Sequence, residues 1–389
     1  MDSSSIEQVP VAQTRPTWVL ATAAVILSII CCLAVAEIVL SFLPVASGLR
    51  SVPVNDENPI FHFEPDHRFV FSTGWNLQHV NRGRVNNAGW VNDQDYRKDD
   101  PQPLVAVIGD SYIEAQIVPY AETKQARLAK ALAGEFRVYS FAAMGAPLSQ
   151  YLIWARHAVR DYGARAVIIN VVINDFDESH VSYRMAPGFW LYAPDPDGEL
   201  HLRLIPHRRG LLWTLAQKSA LARYLLINLH VGHYILNVPA LYRFFIGPPA
   251  HAQESIPGSE AELSRLRDSY AVINAFFRDL ERLVDLPRDR VLLTVDGFHY
   301  PEAARAAAGS YFDLMRKALF ARAAAQGYEA IDLDPRFFAR HRESGERFEF
   351  PNDPHWNGSG HAVAAAAALS SRLLRELRKR PQCDIASGC

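Results

Sequence analysis

LVAVIGDS, residues 104–111, is the stretch that decides the fold. LVAVIG is an apolar run stopped by Gly109, and it lacks the alternation of a half-exposed strand. Such a run suits a parallel strand buried on both faces. Outward from it the chain repeats the same unit. ETKQARLAKALA has helical spacing, FRVYSFA reads as a second strand, and SQYLIWARHAVRDYG is an amphipathic helix with Gly163 near its end. ARAVIINVVI is the third and most apolar strand. After a long interruption, EAELSRLRDSYAVINAFFRDLERLV is a helix and RVLLTVDG a fourth strand. PEAARAAAGSYFDLMRKALFARAAAQG reads as one helix opened by proline and closed by glycine. YEAIDLD is a fifth strand, and HAVAAAAALSSRLLRELRKR a final amphipathic helix. Strands that alternate with helices predict an α/β fold, a five-stranded parallel sheet covered on both faces.

The interruption, residues 177–258, is too long for a plain loop. Its middle, SALARYLLINLHVGHYILNVPALYRFFIG, is apolar but carries Arg223, His230, His233 and Arg243. Those charges argue against a second membrane span. A helical insertion packed on the domain, or lying on a bilayer surface, is the expectation. Residues 44–100 are rich in Pro, Asn, Gly and Asp, show no sustained period, and read as an extended lead-in, with NNAGWVNDQDY as a turn-rich piece.

Before the lead-in, Thr17 to Ala36, TWVLATAAVILSIICCLAVA, carries no charge. About twenty apolar residues are what a helix needs to cross a bilayer. Residues 17–43 are therefore read as an uncleaved membrane anchor, although Ala34-Val35-Ala36 resembles a signal-peptidase site. Residues 1–16 form a polar tail, cytoplasmic where the main domain faces outward as the resemblance given below implies, and 381–389 a C-terminal tail, leaving 101–380 as the main domain. Charge does not orient the anchor, because Arg15 and Arg50 nearly balance across it.

The formal net charge of −2 gives no basic field that would attract nucleic acid. The four cysteines, Cys31, Cys32, Cys383 and Cys389, leave the whole stretch between them without one, so no disulfide framework or Cys-based zinc site holds the globular part. No cofactor is expected.

Chemistry is expected where strands end, since sites in parallel α/β sheets form outside the carboxyl ends of the strands. Ser111 of Gly109-Asp110-Ser111 stands there, although a serine just after a strand is also a common helix cap. The base nearest in kind is His355 in NDPHWNGSGH, residues 352–361. Asp353, two residues before it, can accept from the imidazole and fix its tautomer, with Trp356 shielding one side. A plain helix cap by Asp353 or Asn357 is the bland alternative, and Asp353, His355 and His361 would be a metal set only with a further ligand. For the negative charge of acyl chemistry, Gly145 in AAMGAP and Asn174 in VVINDF are candidate donors.

These residues resemble the signature set of the SGNH/GDSL hydrolase superfamily: Ser111 in GDS, Gly145 in AAMGAP, Asn174 in INDF and His355 in DPHWN. The resemblance covers residues 103–378. It implies a three-layer α/β/α, flavodoxin-like fold and a metal-free triad of Ser111, His355 and Asp353. It also implies an oxyanion hole from the Ser111 and Gly145 backbone amides and the Asn174 side chain. Two positions depart from the family pattern. The usual triad Asp, three residues before the His, is Asn352 here, and the glycine often found two before the Asn is Val172. The D-x-H-W arrangement and the N-terminal helix look like the membrane-associated bacterial branch, whose domain faces the periplasm or exterior and which removes or transfers O-acyl groups, acetyl among them, on cell-surface carbohydrate.

The resemblance thus implies an acylated carbohydrate or other ester as substrate, the inner membrane as location, and a membrane acyltransferase as a candidate partner. His180, Tyr183, Trp190, Tyr192, His230 and His233 are residue types that could line a sugar subsite. A non-catalytic glycan-binding or scaffold module, and a lipase or thioesterase suggested by the apolar insertion, are the competing functions.

Overall fold

The computed structural model describes residues 17–231 and 259–379. The expected tails, with Cys383 and Cys389, and the part of the insertion that carries His233 and Arg243 lie outside the described residues.

Two strands, β1 (His67–Thr73) and β2 (Gln78–Val85), form an antiparallel hairpin ahead of the main sheet. The main sheet has five strands: β3 (Leu104–Gly109), β4 (Arg137–Ala142), β5 (Ala164–Val171), β8 (Val291–Val295) and β9 (Glu329–Asp332). Between them, β6 (Trp190–Pro194) and β7 (Leu200–Leu204) make a second hairpin. A third, β10 (Glu349–Phe350) with β11 (Asp353–Trp356), follows the sheet. Every pair in the main sheet is parallel and the order is β4-β3-β5-β8-β9. The chain therefore steps from β3 outward to β4, then crosses back to β5 on the other side. Where the order reverses, the loops after β3 and β5 diverge and leave a crevice over the carboxyl ends.

The runs recognised in the sequence explain the layers. All six residues of β3 are buried, and successive side chains of a strand leave by opposite faces. Leu104, Ala106 and Ile108 join a core formed with helices Leu148–Tyr162, Glu260–Leu283 and Tyr311–Gln326. Val105 and Val107 face the other way, against Leu128, Ala365, Ala368, Leu373 and Leu374. A third cluster, with Tyr112, Val172, Phe337, Phe348 and Trp356, packs near the carboxyl ends of the strands. The fold is three-layered, as expected.

The differences are local. The single helix expected over 301–327 is two, Pro301–Ala306 and Tyr311–Gln326, broken where Gly309 takes a φ of 79°. The final helix is likewise two, Gly358–Leu369 and Arg372–Lys379, parted at Ser370 and Ser371. A helix not foreseen, Asp334–Ser344, follows β9. The lead-in is more than an extended wrap, since Phe61, Phe63, Phe69, Val85 and Trp90 enter the same core as the sheet. The described part of the insertion is not all helical. It holds the β6–β7 hairpin, a helix Leu211–Ala216, and a turn Ala220–Arg223 that runs on into Tyr224–Asn228.

The N-terminal helix, Thr17–Ser41, has a mean hydropathy of 2.8 over its most apolar part, none of it buried. Length and composition suffice to cross a membrane, a description that signal sequences also meet.

Candidate active site

Ser111 opens a single helical turn, Ser111–Glu114, directly after β3. A Cβ at Gly109 would lie 2.5 Å from Ile113 Cγ1, so glycine there is what lets the turn fold back over the strand end. The turn closes at Ala115 with φ 50°, a left-handed conformation that costs a residue with a Cβ. The cap of this turn is Asp110, whose Oδ1 accepts from Tyr112 N at 3.0 Å. Ser111 is therefore not the capping residue, and its hydroxyl is turned to the crevice.

His355 and Asp353 lie in β11 with one residue between them, so the two-residue period of a strand sends both side chains the same way. His355 Nδ1 is 2.6 Å from Asp353 Oδ1, which also accepts from His355 N at 2.9 Å. A carboxylate accepts only, so Nδ1 carries the hydrogen and Nε2 presents a lone pair. That lone pair faces Ser111 Oγ at 2.8 Å. The hydroxyl has a second, longer neighbour in Asp110 Oδ2 at 3.2 Å.

The same period sends Trp356 to the opposite side. The expectation that it shields the imidazole is overturned: it is fully buried, and its Nε1 donates to Asp296 Oδ1 at 3.1 Å. The ring that lies against His355 is Tyr112, with centroids 4.8 Å apart, and its hydroxyl donates to Pro354 O at 3.1 Å. Asn352 turns away to Gln78. Asn357 does cap the next helix, accepting from Ser359 N and Gly360 N at 2.9 and 3.0 Å. The metal alternative does not assemble, because both ring nitrogens of His355 are engaged and His361 Nδ1 accepts from Lys124 N at 3.1 Å.

Electrostatics follow from burial and pairing. Burial disfavours the cationic form of His355, but the bond to Asp353 and the charges of Asp353, Asp110 and Glu114 outweigh it and hold its pKa above the usual value. Burial raises Asp353, and the donors of His355 more than reverse that, leaving it lowered. Two further carboxyls share the locality. Burial pushes Asp110 up to about 6 and Glu114 up to about 7.

Gly145, after β4, has φ 70°, and a Cβ there would meet Arg184 Nη2 at 2.5 Å. The guanidinium of Arg184 is paired with Glu178, and Glu178 Oε2 also accepts from Asn174 Nδ2 at 3.0 Å. The two candidate donor loops are thus joined through one ion pair, and one N–H of the Asn174 amide is taken by Glu178. Met144 N donates to Glu114, which ties the Gly145 loop to the serine turn. At Val172, where a glycine was the family expectation, a buried carboxylate sets the loop instead. Asp175 Oδ2 accepts from Val172 N at 2.8 Å and Oδ1 from the Tyr151 hydroxyl at 2.7 Å.

Of the residues proposed for a sugar subsite, His180 and Tyr192 are buried, and Trp190 Nε1 donates to Pro59 O at 3.1 Å. Tyr183 and His230 are exposed. Sequence reasoning passed over His79, in β2. It holds φ 53°, its Nε2 is buried without a partner, and its ring is 4.9 Å from Phe350, in the strand paired with that of Asp353 and His355. Nothing in GWNLQHV signals that proximity, since only the hairpin creates it.

No family model matches the chain, and no curated protein matches it. Among solved structures it is similar to a member of the lipolytic protein G-D-S-L family from Veillonella parvula, at 11% identity and a TM-score of 0.35, covering 69% of this chain and 97% of that one. It is similar to a lipase/acylhydrolase from Enterococcus faecalis at 10% identity and a TM-score of 0.37, over 72% of this chain and all of that one (100%). An acetyl xylan esterase is similar at 11% identity and a TM-score of 0.35, over 69% and 98%. At such distances the geometry of the site, rather than the likeness, bears on function, and what the chain resembles are structures carrying the G-D-S-L, acylhydrolase and esterase names.

Proposed function

We propose that the chain is an SGNH/GDSL-type serine esterase or O-acyltransferase, with Ser111 as nucleophile, His355 as general base and Asp353 as the group that orients the base. The observation that carries this reading is the unbroken relay Ser111 Oγ to His355 Nε2 at 2.8 Å and His355 Nδ1 to Asp353 Oδ1 at 2.6 Å. As Oγ bonds to the acyl carbon of an ester, its proton passes to Nε2. The carbonyl oxygen becomes an oxyanion, facing the amides of Ser111 and Gly145 and the side-chain amide of Asn174. The ester C–O bond then breaks, and the imidazolium returns the proton to the departing alcohol. Water or an acceptor hydroxyl, deprotonated by the same nitrogen, then attacks the acyl carbon, the bond to Ser111 Oγ breaks, and the imidazolium returns the proton to Oγ. Hydrolysis and transfer differ only in that second nucleophile.

The motif resemblance supports O-acyl groups of cell-surface carbohydrate as substrate. The apolar helix Thr17–Ser41 supports a single-pass anchor in a bacterial inner membrane, with the hydrolase domain outside. A second reading, an ester of longer chain length, has its own observation. Met144 and Ile173, next to the two donor residues, are 55% and 52% exposed, an apolar rim suited to an acyl chain.

A fluorophosphonate probe tests the mechanism. It should label the parent protein at Ser111, and Ser111→Ala and His355→Ala should each lower turnover of a small acetyl ester by about 10⁴-fold or more. Near-parental turnover in either folded variant overturns it. Comparing acetyl with long-chain esters separates the two substrate readings.

A further inference from the structure

Glu37 is the single charged residue of the helix Thr17–Ser41, and the way it is satisfied shows what stands beside that helix. Its carboxylate accepts from Ser219 Oγ at 2.6 Å, Ala220 N at 2.7 Å and Leu221 N at 2.8 Å. Three donors from the insertion therefore satisfy a charge that is costly to leave in bare hydrocarbon. Two more links hold the same place together. Asn228 Oδ1 accepts from Ala46 N and its Nδ2 donates to Ser72 O, both at 3.1 Å. The Tyr224 hydroxyl donates to Trp75 O at 2.7 Å. The end of the apolar helix, the turn of the first hairpin and residues 219–228 are one unit.

The length of the helix sets the level of that unit. From Thr17 to Ala36 at 1.5 Å per residue is about 30 Å, the thickness of a bilayer's hydrocarbon core. Glu37 falls at its boundary, and so does the segment that holds it. The surface there is apolar: Leu211 is 74% exposed, Trp75 75%, Leu215 52%, Trp213 41%, and Leu225 and Leu226 38% each. The helix Leu211–Ala216 leads into Ser219 through a short turn, with Lys218 N bonded to Leu215 O and Ser219 N to Ala216 O. Scattered apolar residues on a surface are ordinary, but these come from two chain segments fixed beside a helix that itself needs lipid. Tryptophan at this depth is typical of membrane interfaces.

Resting on the anchor reading above, we propose that Leu211, Trp213, Leu215, Leu225, Leu226 and Trp75 form a docking face for the phospholipid bilayer. They lie in its interfacial layer, so that the insertion seats the hydrolase domain on the membrane in one orientation instead of leaving it on a tether.

The test uses the full chain in phosphatidylcholine–phosphatidylglycerol vesicles, with Cys383→Ser and Cys389→Ser throughout. One form carries a bimane label at Cys31, with Cys32→Ser. Others lack both helix cysteines and carry the label at Leu215→Cys, Trp75→Cys or, as control, Asp197→Cys at the exposed tip of the β6–β7 hairpin. Nitroxide lipids spin-labelled high on the acyl chain should quench the labels at 215 and 75 at least threefold more than the label at 197. Lipids labelled near the chain end should quench Cys31. Quenching at Cys31 with positions 215 and 75 no different from 197 overturns the docking face and leaves the anchor standing. An unquenched Cys31 overturns the anchor reading and the docking face with it.

Discussion

His355 is held between opposing influences, and that balance makes its behaviour checkable. Since only the neutral imidazole accepts the Ser111 proton, kcat/KM for an acetyl ester should fall on the acid side with an apparent pKa above 6.5. Asp353→Asn removes the bond and the charge that raise it. The acid limb should then shift to lower pH while kcat drops by about 10⁴-fold, because the wrong tautomer becomes available. An unchanged pH profile in that variant would show that Asp353 does not control the base. Ser111, Asp353 and His355 were legible in the sequence because each stands in a short motif whose residue types name their own chemistry. Asp110 was visible beside Ser111, but its role as cap depends on burial and on where Tyr112 N points. Glu114 stands in the same turn as Ser111, but nothing in SYIE signals its burial, and His79 carries no local signal at all, since its nearness to the site arises from the folding of a distant hairpin.

At the scale of elements, β11 shows how strand alternation divides labour. Asp353 and His355 leave by one side, and Trp356 leaves by the other to anchor the strand through Asp296. Trp356→Phe keeps most of the packing and removes the donor. Asp296 Oδ1 keeps His299 Nε2 as a partner at 2.9 Å, so the change should cost about 1.5–3 kcal/mol in urea unfolding, the range for one lost hydrogen bond to a charged group, and should lower kcat through a less firmly held His355. Stability and kcat both at parental values would show that the indole bond holds nothing. The period of two was available in DPHW, so the direction of Trp356 could have been read from the sequence. Of the five main strands, β3, β5 and β8 were legible for the opposite reason, as apolar runs suited to a two-sided core, while β4 and the half-buried β9 carry polar residues and were read from their place between helices. The β1–β2 hairpin was not, because QHVNRGRV has only two apolar residues and its inward side is made partly by Asn81, whose Nδ2 donates to Gln116 O and Val118 O at 2.7 and 2.9 Å. The break at Ser370 and Ser371 was hidden by helix-forming residues on both sides.

For the molecule as a whole, the fully buried Glu114 links the site to stability. Burial raises its pKa from 4.5 to about 7, so between those values the folded chain binds more protons there than the unfolded chain does. Its contribution is complete below about 4.5 and is lost as pH rises through about 7, a swing of roughly 3 kcal/mol. Glu114→Gln keeps an acceptor for Met144 N and abolishes the titration. Urea unfolding should therefore show the variant gaining on the parent by about that amount between pH 4.5 and pH 8. A constant difference across the range would show that folding leaves the pKa of Glu114 unshifted.

The serine and its histidine are separated by 244 positions. During synthesis Ser111 emerges with β3 while His355 is still unmade, and the proposed relay can form only once the whole stretch between them has been made. On the proposed mechanism the chain stays chemically silent while it is being made, and becomes reactive only when the β10–β11 hairpin closes over the sheet.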